Sequence, residues 1–168
     1  MKEIINLEEV DDFKEYNPVL IISEDLNYDN RFCILKTNVG NVAFSYYDLG
    51  IKPNVVIQNG ILFLSFGKSY YVINLNESKL LYQANDLFSI IFEIIKCEFS
   101  PYIVFIGELS LRCFSQEGQL IWENSYKNKI MDWLAVDGGI LIVFENDVKW
   151  IVSYKDGNGT LVAEYLYD

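Results

Sequence analysis

The sequence predicts an all-β fold of repeated antiparallel meanders, each about 40 residues long, with one short helix near the N-terminus. Three observations predict it. Half of the residues are apolar (51%) and 15% are aromatic, so a chain of 168 residues can bury a sizeable core and is not disordered. Stretches that start at Asn59, Ser100 and Gly138 align with one another. Their anchors Ile61, Tyr102 and Ile140 stand 41 and 38 residues apart, and the closing segments at Leu80, Leu120 and Leu161 stand 40 and 41 apart. A fixed period of that size marks a repeat architecture. Finally, turn residues fall at matched places in every copy.

From the N-terminus, Asn6 with Glu9 three residues later has the spacing of a capping box, and Leu7, Val10 and Phe13 recur at helical intervals. One short acidic helix ending at about Tyr16 is expected. A degenerate first copy starts at Pro18 and has a longer first turn than the others. In the three clearer copies a turn signal (Asn59-Gly60, Ser100-Pro101, Asp137-Gly138-Gly139) precedes a nearly continuous apolar strand, as expected for one covered on both faces. A short polar connection follows, then a strand rich in β-branched and aromatic residues (YYVINL, LSLRCF, VKWIVSY). A Gly- or Asn-bearing turn then leads to a short closing strand (LLYQ, LIWE, LVAE). The segments from Asn54 and Lys129 supply a fourth strand. The segment 86–97 fits a helix face through Leu87, Ile90, Ile91, Ile94 and Ile95, and fits strand alternation nearly as well; the repeat register favours a strand from about Ile90. The units are 18–45, 54–83, 90–125 and 129–164, within one domain spanning 1–168.

Four strands per 40 residues is the size of one propeller blade. The second copy, with LRCFSQEGQLIW, Gly118 in its turn and Trp122 at its close, resembles a blade of the PQQ-type β-propeller repeats over roughly residues 54–164. The resemblance implies a propeller-like fold; it carries no cofactor, since the quinone-binding residues have no counterparts here. Tyr82 and Ala163 stand where the other copies would repeat Trp122. A twisted β-sandwich built from the same hairpins is the alternative.

The chemistry that the sequence excludes is extensive. It contains no histidine, so Ser-His-Asp, Cys-His and HExxH arrangements cannot be assembled within the chain. Neither GxxxxGK[ST] nor GxGxxG occurs, so no phosphate-cradling loop is expected. Cys33, Cys97 and Cys113 sit among apolar neighbours without CxxC spacing, which reads as three reduced core thiols rather than a zinc site. Asp156-Gly157-Asn158-Gly159-Thr160 has oxygens at alternate positions, but Tyr167 stands where an EF-hand needs a bidentate Glu, so a glycine hairpin turn is expected and no metal. Glycoside cleavage needs two acids and no histidine, and Glu93 and Asp132 interrupt apolar strands at comparable places. They are the candidates for a carboxylate-dependent hydrolase, against the plainer expectation that each faces solvent or caps a backbone group.

Charge points elsewhere. The chain has 13 bases and 24 acids, net −11, which excludes nucleic acid as a partner. Residues 1–30 hold nine acids and two bases, net −7. A field of that kind speeds encounter with a basic partner. The candidate partner-binding residues are Glu8, Glu9, Asp11, Asp12, Glu15, Glu24, Asp25 and Asp29, with Tyr46, Tyr47 and Asp48 as an aromatic-acidic anchor that core packing would explain equally well. In size, acidity and expected solubility the chain is similar to bacterial immunity proteins, and that similarity implies a non-enzymatic inhibitor that occludes a basic toxin. The alternatives are a propeller-like scaffold without a charge-driven partner, and the hydrolase. Without an apolar leader or a membrane-length run, a cytoplasmic protein with no cofactor is expected, and edge strands make a homodimer possible.

Overall fold

A computed structural model describes residues 2–23, 28–85, 89–97 and 100–162. It contains sixteen described strands and one 3₁₀ helix, and the fold is propeller-like: four successive four-stranded sheets, each built from a contiguous stretch of chain. The chain divides into two compact units, Met1–Asn85 and Asp86–Asp168.

In the first unit, β5 (Asn54–Gln58), β6 (Ile61–Phe66), β7 (Ser69–Asn74) and β8 (Lys79–Asn85) form an antiparallel meander in sequence order. All six residues of β6 are buried, which explains its unbroken apolar run. The outer strand β8 is exposed at Lys79, Leu80 and Leu81 and then alternates between half-buried and exposed positions. The other sheet of this unit departs from expectation. It joins β1 (Glu3–Leu7), β2 (Leu20–Ser23), β3 (Arg31–Lys36) and β4 (Asn41–Tyr46) in the order β1-β3-β4-β2, with β2 parallel to β4. The repeat therefore begins at Glu3, not at Pro18, and this copy is not a simple meander.

The N-terminal helix is also corrected. Residues 3–7 are a strand, and the helix is a 3₁₀ helix spanning Val10–Tyr16. The Asp12 carboxylate accepts the Glu9 backbone N–H at 3.1 Å, so the cap lies three residues beyond the expected Asn6–Glu9 pair. Competition from β3 decides the matter: Leu7 pairs with Phe32 and Glu3 with Lys36, giving residues 3–7 a full ladder that a single helical turn cannot match. Phe13 pins the helix against Ile34 and Ala43, edge-to-face with Phe32.

The two sheets of this unit share a core of Leu35, Val42, Phe44, Tyr46, Leu62, Leu64, Phe66 and Tyr71, among others. Its centre is an aromatic stack in which the Phe66 ring lies 5.2 Å from Phe44, 5.3 Å from Tyr46 and 5.1 Å from Tyr71.

The second unit repeats the meander twice. β9 (Ile91–Lys96), β10 (Tyr102–Gly107), β11 (Ser110–Ser115) and β12 (Leu120–Ser125) form one sheet; β13 (Ile130–Val136), β14 (Gly139–Phe144), β15 (Lys149–Ser153) and β16 (Gly159–Leu161) form the other. The segment left open between helix and strand is a strand from Ile91; its residues 86–88 lie outside the described ones, as does Ala163. β16 starts two residues earlier than expected at Leu161. Val104, Ile106, Leu111, Cys113, Ile140, Ile142, Phe144 and Val152 form the core between these two sheets. Trp122, at the close of its sheet, donates its indole N–H to the Tyr154 carbonyl at 2.8 Å, and Asn124 donates to the Gly157 carbonyl at 2.7 Å. The last strand of one sheet is thus tied to a turn of the next.

All three cysteines are buried free thiols. Burial raises the Cys33 thiol from the ordinary 9.0 to about 11 and Cys113 to about 12. Ellman's reagent is expected to leave Cys33 and Cys113 unreacted in the folded chain at pH 8 and to find three thiols after denaturation; rapid native labelling of Cys33 or Cys113 would contradict their burial. Because both thiols hold their protons more tightly folded than unfolded, their contribution to stability is intact below about pH 9 and is lost as pH rises through the folded values.

Candidate functional site

The 3₁₀ helix and the two residues before it carry five of the acids on which a partner surface was expected. Glu8, Glu9, Asp11 and Glu15 are exposed and Asp12 is half-buried. With Phe13 pinned beneath, the five carboxylates form a fixed ridge rather than a mobile tail. Three of them have local duties. Asp12 and Glu9 close the capping box of the helix, and Asp11 accepts a hydrogen bond from Lys14 Nζ at 2.7 Å; that bond and the charge of Lys14 lower its pKa. Glu8 and Glu15 are exposed without such a partner role in the helix.

The remaining candidates separate. Asp29 ties β2 to β4, accepting hydrogen bonds from Ser23 Oγ at 2.8 Å and from the fully buried Ser45 Oγ at 2.6 Å. Asp48 accepts the Gly50 N–H and the Arg31 Nε–H, both at 2.8 Å, and these two bonds lower its pKa. Tyr46 is buried in the aromatic stack, so its ring is committed to the core, whereas its neighbour Tyr47 is exposed. β4 ends at Tyr46, and Tyr47 is the first residue beyond it. Glu24 and Asp25 lie outside the described residues.

Glu93 and Asp132 both occupy exposed strand positions in the second unit. Glu93 Oε2 accepts the Trp133 indole N–H at 2.7 Å, and Asp132 Oδ1 accepts the Trp133 backbone N–H at 2.8 Å. Neither lines the cavity of about 330 Å³ formed by Phe92, Glu108, Lys129, Ile130, Met131 and Trp133. Each acid holds a protein group. The described residues also contain no group of three or more acids or cysteines able to hold a metal ion.

The sequence reading missed a larger cavity of about 790 Å³ in the second unit, where the β9–β10 and β13–β14 turns approach the end of β15. Lys96, Tyr102, Asp137, Tyr154 and Lys155 are among its walls. These residues are scattered through 60 positions of sequence and share no motif, so only the turn assignments hinted that they would meet.

No family model matches the chain, and no curated protein does. Among solved structures, the computationally designed Ika4 protein is similar over 70% of this chain and 75% of its own, at 8% identity and a TM-score of 0.51. That likeness concerns the fold alone. Kluyveromyces lactis Hsv2 aligns with 65% of this chain at 18% identity and a TM-score of 0.39, and the N-terminal domain of Nup159 with 67% at 8% and 0.46. The alignments cover 36% of Hsv2 and 33% of the Nup159 domain. No described helix is long and apolar enough to cross a membrane.

Proposed function

We propose that the chain is a non-enzymatic interaction domain that receives a basic protein partner on the ridge Glu8–Glu15. One observation carries this reading: five carboxylates against one amine, Lys14, fall within a short helix and the two residues before it, and Phe13 of that helix is buried to 3% exposure. A preorganised anionic surface accelerates encounter and loses little entropy on docking. An immunity-type inhibitor that occludes a cationic toxin is the specific form of this reading.

The geometry also selects the test. Asp11 and Asp12 serve the helix, so reversing them would confound folding with binding; Glu8→Lys with Glu15→Lys changes the field alone. Side-by-side capture from a native lysate is expected to recover a basic protein on the unaltered chain and not on the double variant. Its association should slow by about tenfold in the variant, and the salt dependence between about 50 and 500 mM should flatten. Identical captures, or rates indifferent to salt, would remove the reading.

A second reading, a scaffold with an apolar interface, is favoured by the outer face of the last sheet. There Leu134, Leu141 and Ile151 stand directly opposite one another across three strands, with Leu134 61% exposed. Capture that survives high salt and fails on Leu134→Glu would select it.

A further inference from the structure

We infer that the 790 Å³ cavity of the second unit binds a small molecule with a ring and one anionic group, such as an aromatic carboxylate. Its volume falls in the range of small-molecule sites. Pro101, Tyr102 and Tyr154 supply apolar and aromatic wall, with the two tyrosine rings 6.3 Å apart. Such a wall suits a flat hydrophobic body.

Two polar groups in that wall call for an occupant. Tyr154 is only 4% exposed, yet its hydroxyl has no hydrogen bond, and the buried Ser100 Oγ has none either. The Tyr154 hydroxyl is near enough to the Cys97 thiol and the Val136 amide to feel both, without reaching hydrogen-bond geometry with either. Buried hydroxyls of native proteins are normally satisfied, and those in a cavity wall are satisfied by what fills the cavity. Burial raises the phenol's pKa, so it keeps its proton and acts as a donor toward a ligand oxygen.

Charge supplies the sign. The lining includes two amines, Lys96 and Lys155, both exposed, and one acid, Asp137. This convergence runs against the composition of a chain with 24 acids and 13 bases. The amines are placed to hold the anionic group while the ring enters between Pro101 and the tyrosines. This site is independent of the acidic ridge, which belongs to the first unit.

The probe is 2-naphthoate, titrated into the ¹⁵N-labelled full chain, with the neutral 2-naphthamide as its control. Saturable amide shifts are expected at Tyr102, Gly138, Tyr154 and Lys155, with a Kd of about 1 mM, the level typical for a probe of that size. The naphthamide should bind about tenfold more weakly. Lys96→Ala with Lys155→Ala, both at exposed positions, should remove the preference for the acid, and Tyr154→Phe should weaken the acid severalfold. Shifts that do not saturate or do not cluster at these residues would overturn the inference. So would equal affinity for acid and amide, which would leave an apolar hollow without a recognised charge.

Discussion

Replacing Phe66 with alanine is expected to destabilise the first unit by about 3–5 kcal/mol, the range for truncating a fully buried phenylalanine. The ring is entirely inaccessible and touches three other aromatic rings, so its loss removes transferred area and also three stacking contacts worth about 0.5–1.5 kcal/mol each. For a unit of this size each kcal/mol corresponds to about 4–8 °C, so the melting temperature of the first unit should fall by more than about 12 °C. Phe66→Leu, which keeps most of the volume, should cost less than half as much. A shift of only a few degrees for the alanine variant would mean that the core collapses around the gap or that the stack is not its centre.

The second large effect is expected at Gly157. Its φ is +72°, and a Cβ there would stand 2.8 Å from Trp122 Cδ2 and 3.0 Å from Cε3. Gly157→Val therefore combines a left-handed backbone with a β-branched side chain and displaces an indole fixed by its bond to the Tyr154 carbonyl. Strain of about 1–2 kcal/mol plus overpacking of about 1–3 kcal/mol should lower the second unit's melting temperature strongly and change tryptophan emission. Gly138→Ala is the matched control, because its φ is +71° and nothing lies within 4 Å of the added carbon. It should cost only about 1 kcal/mol and leave the emission unchanged. Equal effects at the two glycines would mean that the indole contact contributes nothing.

The same turn shows why much of the fold was legible from the sequence. Asp156-Gly157-Asn158 is a tight turn whose Asp156 carboxylate accepts hydrogen bonds from Asn158, so the alternating oxygens serve the chain itself. The strands around Ile61, Tyr102 and Ile140 were legible because burial on both faces forces unbroken apolar runs, and because glycine marks the turns between them. The first sheet was obscure for a physical reason: a strand's pattern records which face is buried but not which strand lies beside it. Nothing in Leu20–Ser23 distinguishes pairing parallel to β4 from the antiparallel hairpin expected. The helix start was misplaced because Asn6–Glu9 and Glu9–Asp12 offer the same spacing, and only the ladder between β1 and β3 chooses between them. At the candidate surface, acidity was legible as composition, but the division between Glu8 and Glu15, which are exposed, and Glu9, Asp12 and Asp29, which hold backbone or serines, required the structure. The cavity was invisible because it is made by turns that meet only in space.

The strand order β1-β3-β4-β2 has a consequence for how the first sheet is put together. Both of its outer strands, and the helix over its face, come from residues 3–23, while its central hairpin comes from residues 31–46. Severed after Ser23, the chain would leave this sheet a two-stranded hairpin with both edges open, held by its packing on β6 and β7. The released peptide would carry the strands that pair with both of those edges. Residues 2–23 thus make up one half of a complementation pair, able to restore the sheet when supplied separately. In an opened chain they can be lent to a second copy, in a strand exchange that uses the hydrogen bonds of the monomer.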